Sequence, residues 1–72
     1  MVKYHPIDSR VQLYYKPRSH VVEISGPIGQ LSVGRRWARL FDRKMVERVM
    51  ETSFRIRVLY VSADIWERVT GE

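Results

Sequence analysis

Three segments of the chain alternate apolar and polar residues, and this period of two limits the fold more than any other feature. Residues 54–61 show the pattern most clearly, and their apolar side consists of Phe54, Ile56, Val58 and Tyr60. Residues 10–16 and 20–25 repeat it on either side of a turn at Pro17. Segments of this kind are typical of strands that bury one face of a sheet and expose the other. We therefore predict an antiparallel sheet, with residues 10–25 forming a hairpin.

A different period follows the loop of residues 26–34. Between Arg35 and about Glu51, large apolar residues recur at every fourth position, namely Trp37, Phe41, Met45 and Val49. At about 100° per residue these side chains share one broad face of a helix, with Ala38 and Val46 beside them and Leu40 off the stripe. No Gly or Pro interrupts the segment. The spacing predicts one helix over residues 35–51.

Residues 62–70 fit two descriptions. Ile, Trp, Val and Thr favour a strand that pairs back onto residues 54–61. A short helix capped by Ser62, with Asp64 in its first turn, is the alternative. We favour the strand. The expected fold is then α+β: a small antiparallel sheet in the order β-β-α-β-β, with one helix packed on one face. Residues 10–70 form this domain, and residues 1–9 are interpreted as an N-terminal arm.

Composition excludes several classes of site. The chain has 72 residues, no Cys and two His, so disulfides, Cys-based metal sites and a His-rich metal cage are ruled out. Neither a nucleophile elbow nor a phosphate-binding loop is present. We expect no enzymatic activity, no catalytic or metal-binding residues and no cofactor. The longest apolar run, residues 58–61, is far too short to span a bilayer. We therefore expect a soluble cytoplasmic protein without a membrane partner, and a homodimer is not the favoured state.

The charges give the strongest indication of a partner. Thirteen Lys and Arg against eight Asp and Glu leave a net charge of +5. Five cations fall within ten residues: Arg35, Arg36, Arg39, Arg43 and Lys44. Cations at the start of a predicted helix and acidic residues near its end oppose the preference of the helix dipole. This suggests an anionic partner, either phosphate or an acidic protein surface. The alternative is a solvated face on which Arg39 pairs with Asp42 and Arg43 pairs with Glu47.

Two further surfaces are candidates for binding. The outward side of the predicted strands combines aromatic and basic residues, namely Tyr14, Lys16, Arg55, Arg57 and Trp66. Such a mixture suits base stacking and phosphate pairing, although the aromatic rings could equally shield the sheet. The candidates in the arm are Lys3, Tyr4 and His5, and the presence of Tyr4, His5 and Ile7 is unusual for a solvated tail.

These features favour a small, non-enzymatic regulatory protein that acts at nucleic acid or at the transcription machinery through the Arg-rich helix face. The alternatives are a protein–protein inhibitor or adaptor and a nucleic-acid-binding protein of low sequence specificity. In size and charge the chain is similar to small bacteriophage proteins that bind and redirect host enzymes such as RNA polymerase. That resemblance implies a protein partner and assigns no site residue.

Overall fold

The protein is a small α+β domain built on one antiparallel sheet. The computed structural model describes residues 1–7 and 9–72. Its strands are β1 (Lys3–Pro6), β2 (Gln12–Lys16), β3 (Val21–Pro27), β4 (Met45–Val49) and β5 (Ser53–Val58). Its helices are α1 (Leu31–Leu40), preceded by a 3₁₀ turn at Ile28–Gln30, and α2 (Ala63–Thr70). The five strands lie side by side in the order β1-β2-β3-β5-β4. Neither helix is long and apolar enough to cross a membrane, within the part of the chain that the structure describes.

The prediction of one helix over residues 35–51 is wrong for its second half. Helix α1 begins at Leu31 and ends at Leu40, Asp42 adopts a left-handed backbone with φ 53°, and residues 45–49 form β4. A spacing of four residues is close to one helical turn, and it also equals two pleats of a strand, so Met45 and Val49 fit both structures. The β-branched residues Val46 and Val49 favour the strand.

The predicted order β-β-α-β-β with a single helix is also wrong, because the structure adds β1 and α2. Residues 62–70 form the alternative helix and not the favoured strand. The Ser62 hydroxyl accepts a hydrogen bond from the Ile65 N–H at 3.3 Å, and Gly71 ends the helix with a left-handed φ of 76°. At the other terminus, residues 3–6 of the segment interpreted as an arm are the edge strand β1, which pairs with β2.

Both helices pack on the same face of the sheet. Leu13, Ile24 and Ile56 lie opposite one another on β2, β3 and β5, and all three are fully buried. Phe41, immediately after α1, and Trp66 on α2 are fully buried too. The Trp66 ring stacks on Tyr15 at a centroid distance of 5.3 Å and on Phe41 at 6.3 Å. The core therefore lies between the two helices and one face of the sheet, and neither helix packs on the other face.

The predicted inward position of Tyr60 is wrong. Strand β5 ends at Val58, and Tyr60 adopts a left-handed backbone with φ 63°. Its side chain is 69% exposed. The turn that follows β5 breaks the alternation there, so Val61 enters the core instead.

Candidate functional site: the open face of the sheet

The five cations predicted to form one helix face are divided between two structural elements. Arg35, Arg36 and Arg39 lie on α1, whereas Arg43 and Lys44 lie in the connection to β4. Arg35 is occupied by an internal contact, because its Nε and Nη2 donate to the two carboxylate oxygens of Glu47, each at 2.7 Å. This hydrogen-bonded pair lowers the pKa of Glu47 and joins α1 to the edge strand β4.

The other four cations give weaker support to a helix-face site than the sequence suggested. Arg39 lies in the last turn of α1, where the helix dipole favours a cation, so the predicted conflict with the dipole is not present. The predicted Arg43–Glu47 pair does not form, since Glu47 binds Arg35 and Arg43 donates to the carbonyl oxygen of Asp42 at 2.9 Å. Leu40, one turn after Arg36, is 53% exposed.

The uncovered side of the sheet, here called the open face, gathers most of the second predicted surface. Buried and exposed residues alternate along β5, so Arg55 and Arg57 point away from the helices. Tyr14 and Lys16 occupy the same side of β2, between its buried residues. The prediction for Trp66 is wrong. This residue lies on α2, on the opposite side of the sheet, and is fully buried, because residues 62–70 are helical.

Strand register arranges the open face in rows that cross the sheet. One row consists of residues that are directly opposite their neighbours on successive strands: Tyr4, Tyr14, Glu23, Arg57 and Val46. The next row consists of Pro6, Gln12, Ser25, Arg55 and Arg48. Tyrosines therefore stand at the β1–β2 end of the open face, and arginines stand at the β5–β4 end.

Arg48 is the functional candidate that the sequence analysis missed. It was assigned to the long helix, but in β4 it lies directly opposite Arg55 of β5. Val46 and Arg48 lie on one side of β4, and Met45, Glu47 and Val49 lie on the other. Residues 45–49 do not alternate apolar and polar side chains, so the sequence signal for a strand is limited to the β-branched Val46 and Val49. Arg48, Arg55 and Arg57, here called the arginine cluster, are all exposed.

No carboxylate of the described residues forms a salt bridge with the arginine cluster, although Glu23 is near enough for the charges of Arg55 and Arg57 to contribute to the lowering of its pKa. Glu23 lies opposite Arg57, but its carboxylate accepts a hydrogen bond from Lys16 Nζ at 2.7 Å. This contact is the main reason that the pKa of Glu23 is lowered. The salt bridges found within residues 1–7 and 9–72 are His5–Glu72, Lys16–Glu23 and Arg35–Glu47. Like charges placed directly opposite on neighbouring strands destabilise a sheet, so the Arg48–Arg55 pair opposes folding.

At the other end of the open face, two aromatic rings lie side by side. The Tyr4 and Tyr14 ring centroids are 5.0 Å apart, with an interplanar angle of 39°. The Tyr14 hydroxyl donates to Oε1 of Gln12 at 3.2 Å. Tyr4, on the edge strand, is 46% exposed. These two residues are here called the tyrosine pair.

The three candidates of the N-terminal segment do not share one surface. Tyr4 belongs to the open face, whereas Lys3 and His5 alternate with it and lie on the helix side, opposite Tyr15 and Leu13. Nδ1 of His5 lies 2.7 Å from a carboxylate oxygen of Glu72, and its ring is 5.8 Å from that of Trp37. His5 therefore contacts the end of the chain and the rim of the core.

The open face combines fixed positive charge with accessible aromatic rings, and such a surface can bind an anion and a planar group together. The described residues form no cluster of three or more His, Cys, Asp or Glu side chains that could hold a metal ion. Comparison with protein-family models, with curated proteins and with solved structures finds no match for the chain.

Proposed function

We propose that this protein is a non-enzymatic nucleic-acid-binding protein whose open face contacts phosphates through the arginine cluster. The observation that carries the proposal is the position of Arg48 directly opposite Arg55, with Arg57 two residues along the same strand. This arrangement concentrates three positive charges that form no salt bridge with an acidic side chain among the described residues. A phosphate backbone supplies the missing negative charge and relieves the repulsion between the arginines.

Arginine suits this role better than a diffuse positive surface would. Its planar guanidinium presents a fixed fork of donors that matches two oxygens of a phosphate. The paired strands β4 and β5 hold the three arginine side chains on one side of the sheet. Contacts of this kind carry no sequence information, so we expect binding that is salt-dependent and nearly independent of base sequence.

The test removes the arginine cluster and compares the effect on DNA binding with the effect of an equal loss of charge elsewhere. The variant Arg48→Gln/Arg55→Gln/Arg57→Gln is measured beside the control Arg36→Gln/Arg39→Gln/Arg43→Gln, which changes α1 and the turn after it. Binding of a mixed-sequence DNA oligonucleotide is titrated over a range of salt concentrations, with the strand single and as a duplex. Loss of three phosphate contacts should reduce the slope of log affinity against log salt by about 2 to 3. The control should retain most of the slope.

Three results would overturn the proposal. A control variant that loses the slope while the sheet variant keeps it would return the site to the helix. An equal change in both variants would show attraction by net charge alone. Absence of binding to either form of the DNA would remove nucleic acid as the partner.

A second candidate function is docking on a protein, and the exposed apolar residue on α1 favours it. Leu40 is 53% exposed, and Arg36 and Arg39 are exposed beside it. Interfaces commonly combine arginine with an apolar centre, so this surface fits the inhibitor or adaptor that size and charge suggest, including one that acts on the transcription machinery. Capture of a partner from nuclease-treated extract should then require Leu40 and the α1 arginines but not the arginine cluster.

A further inference from the structure

We propose that the open face binds single-stranded nucleic acid, with a base stacked on the tyrosine pair and neighbouring phosphates on the arginine cluster. This inference rests on the proposed function and specifies its ligand. It assigns a role to the tyrosines that phosphate binding alone does not require.

The tyrosine pair is accessible on the open face. Tyr15, the next residue after Tyr14, faces the core and donates its hydroxyl hydrogen to the carbonyl of Val61 at 2.9 Å. Tyr4 and Tyr14 instead lie on the open face, and Tyr4 remains 46% exposed although its ring lies only 5.0 Å from that of Tyr14. A partly exposed pair of rings offers an apolar surface on which a base can stack.

The tyrosine pair and the arginine cluster lie a short distance apart across the sheet. Tyr14, Glu23 and Arg57 stand in one row on adjacent strands, so Tyr14 and Arg57 are separated by two strand spacings. That is about 10 Å between their backbones, and both long side chains extend from the same side of the sheet. A strand of nucleic acid that crosses the sheet can therefore contact an aromatic ring and a guanidinium within a few nucleotides.

One acidic side chain, Glu23, lies in the row between Tyr14 and Arg57. Glu23 would repel a phosphate that passes over it, but Lys16 holds its carboxylate at 2.7 Å and compensates the charge. With this pair neutral overall, the row carries a positive charge at Arg57 and no uncompensated negative charge among its described residues. Charge along the row is thus complementary to a polyanion.

Stacking on the tyrosine pair is possible for a single strand but not for a duplex. Bases in a duplex are stacked on one another and turn only their edges toward a protein, so the rings of Tyr4 and Tyr14 cannot stack on them. A single strand exposes the faces of its bases and can use both ends of the site. The arginine cluster alone would serve both forms, and the tyrosine pair should create the preference.

The experiment measures the tyrosine pair separately from the charges. The variant Tyr4→Leu/Tyr14→Leu keeps apolar bulk at both positions, and Tyr4→Phe/Tyr14→Phe keeps the rings and serves as the matched control. Each is titrated with a single-stranded oligonucleotide, with the duplex of the same sequence and with inorganic polyphosphate, which has charge but no bases. Thermal melts confirm that both variants fold.

We expect the leucine variant to bind the single strand about 5- to 150-fold more weakly, which is the range for losing one stacked base. Its salt slope should be unchanged, because no cation is lost. Its binding to duplex and to polyphosphate should also be unchanged, and the phenylalanine variant should bind like the original protein.

Two results would overturn this inference. If the leucine variant had a lower Tm but bound the single strand normally, the tyrosines would shield the sheet from solvent and would not bind a base. Duplex or polyphosphate binding as tight as single-strand binding would also exclude a stacking site. If the arginine variant still lost its salt slope in these cases, the proposed function would stand without the single-strand preference.

Discussion

Individual residues in this domain are constrained mainly by close packing between α1 and the sheet. Gly34 lies within α1, where glycine is unfavourable compared with alanine. A Cβ atom at this position would come within 2.6 Å of Cζ of Phe54, and still nearer to Cε1. Phe54 is fully buried and cannot move aside without disturbing its neighbours. Gly34 therefore permits the close approach of the helix to β5.

Gly34→Ala should destabilise the protein despite the better helix propensity of alanine. The propensity gain is about 1 kcal/mol, whereas overpacking a core typically costs about 1–3 kcal/mol. Gly29→Ala is the matched control, since a Cβ at Gly29 meets no atom within 4 Å. Thermal melts should show a lower Tm for Gly34→Ala and little change for Gly29→Ala. In the double variant Gly34→Ala/Phe54→Leu, the two effects should be less than additive. A higher Tm for Gly34→Ala would contradict this account of the packing.

At the scale of elements, the sequence predicted the strands that alternate cleanly and failed where one spacing fitted two structures. Strands β2, β3 and β5 lie where the alternation placed them. Residues 45–49 were ambiguous because a repeat of four suits both a helix and a strand, and the pairing with β5 decided the outcome. Four of the five residues predicted on the outward side of the strands lie on the open face. Arg48 was missed because it had been assigned to the long helix.

Helix α2 was also ambiguous, because local propensity favoured a strand and the capping residue favoured a helix. Tertiary packing resolves the conflict, because the adjacent residues Ile65 and Trp66 are both buried in α2, whereas adjacent residues of a strand would point to opposite faces. Trp66 then lies against Tyr15 and Phe41 in the core. Contacts of this kind join residues far apart in the chain, so propensity within a short segment does not reveal them.

Ser62→Ala should lower the stability of the whole domain through α2. The Ser62 hydroxyl accepts the Ile65 N–H, and losing an N-cap of this kind costs about 0.5–2 kcal/mol. In a domain of this size, a loss of 1 kcal/mol lowers Tm by about 4–8 °C. Ser32→Ala, an exposed position within α1, is the control and should not lower Tm. If the two variants melted alike, the cap would not contribute to α2.

At the scale of the whole molecule, the sheet separates the hydrophobic core from the arginine cluster. One face is covered by both helices and contains the core, while the other carries the arginine cluster and the tyrosine pair. Most of the acidic groups that form salt bridges in the described structure lie on the helix side or at its rim, at Glu47 and Glu72. Among the described residues of the open-face rows, the acidic side chain is Glu23, which forms a salt bridge with Lys16. The arginine cluster and the Lys16–Glu23 pair therefore leave the open face positively charged, in a chain whose net charge is +5.

This separation predicts a conflict between stability and binding that one substitution can expose. Arg48→Gln removes one member of the opposed Arg48–Arg55 pair and should raise Tm at low salt, because it relieves repulsion across β4 and β5. The gain should disappear as salt is added, since exposed charges are screened over about 10 Å at 0.1 M. Arg36→Gln, exposed on α1, removes the same charge from the molecule and shows how much of the change in Tm comes from net charge alone. Arg48→Gln should exceed that control in low salt and should also bind nucleic acid more weakly. A variant that lost stability would show that Arg48 serves the fold, and a gain that persisted unchanged at high salt would show that charge repulsion is not its cause.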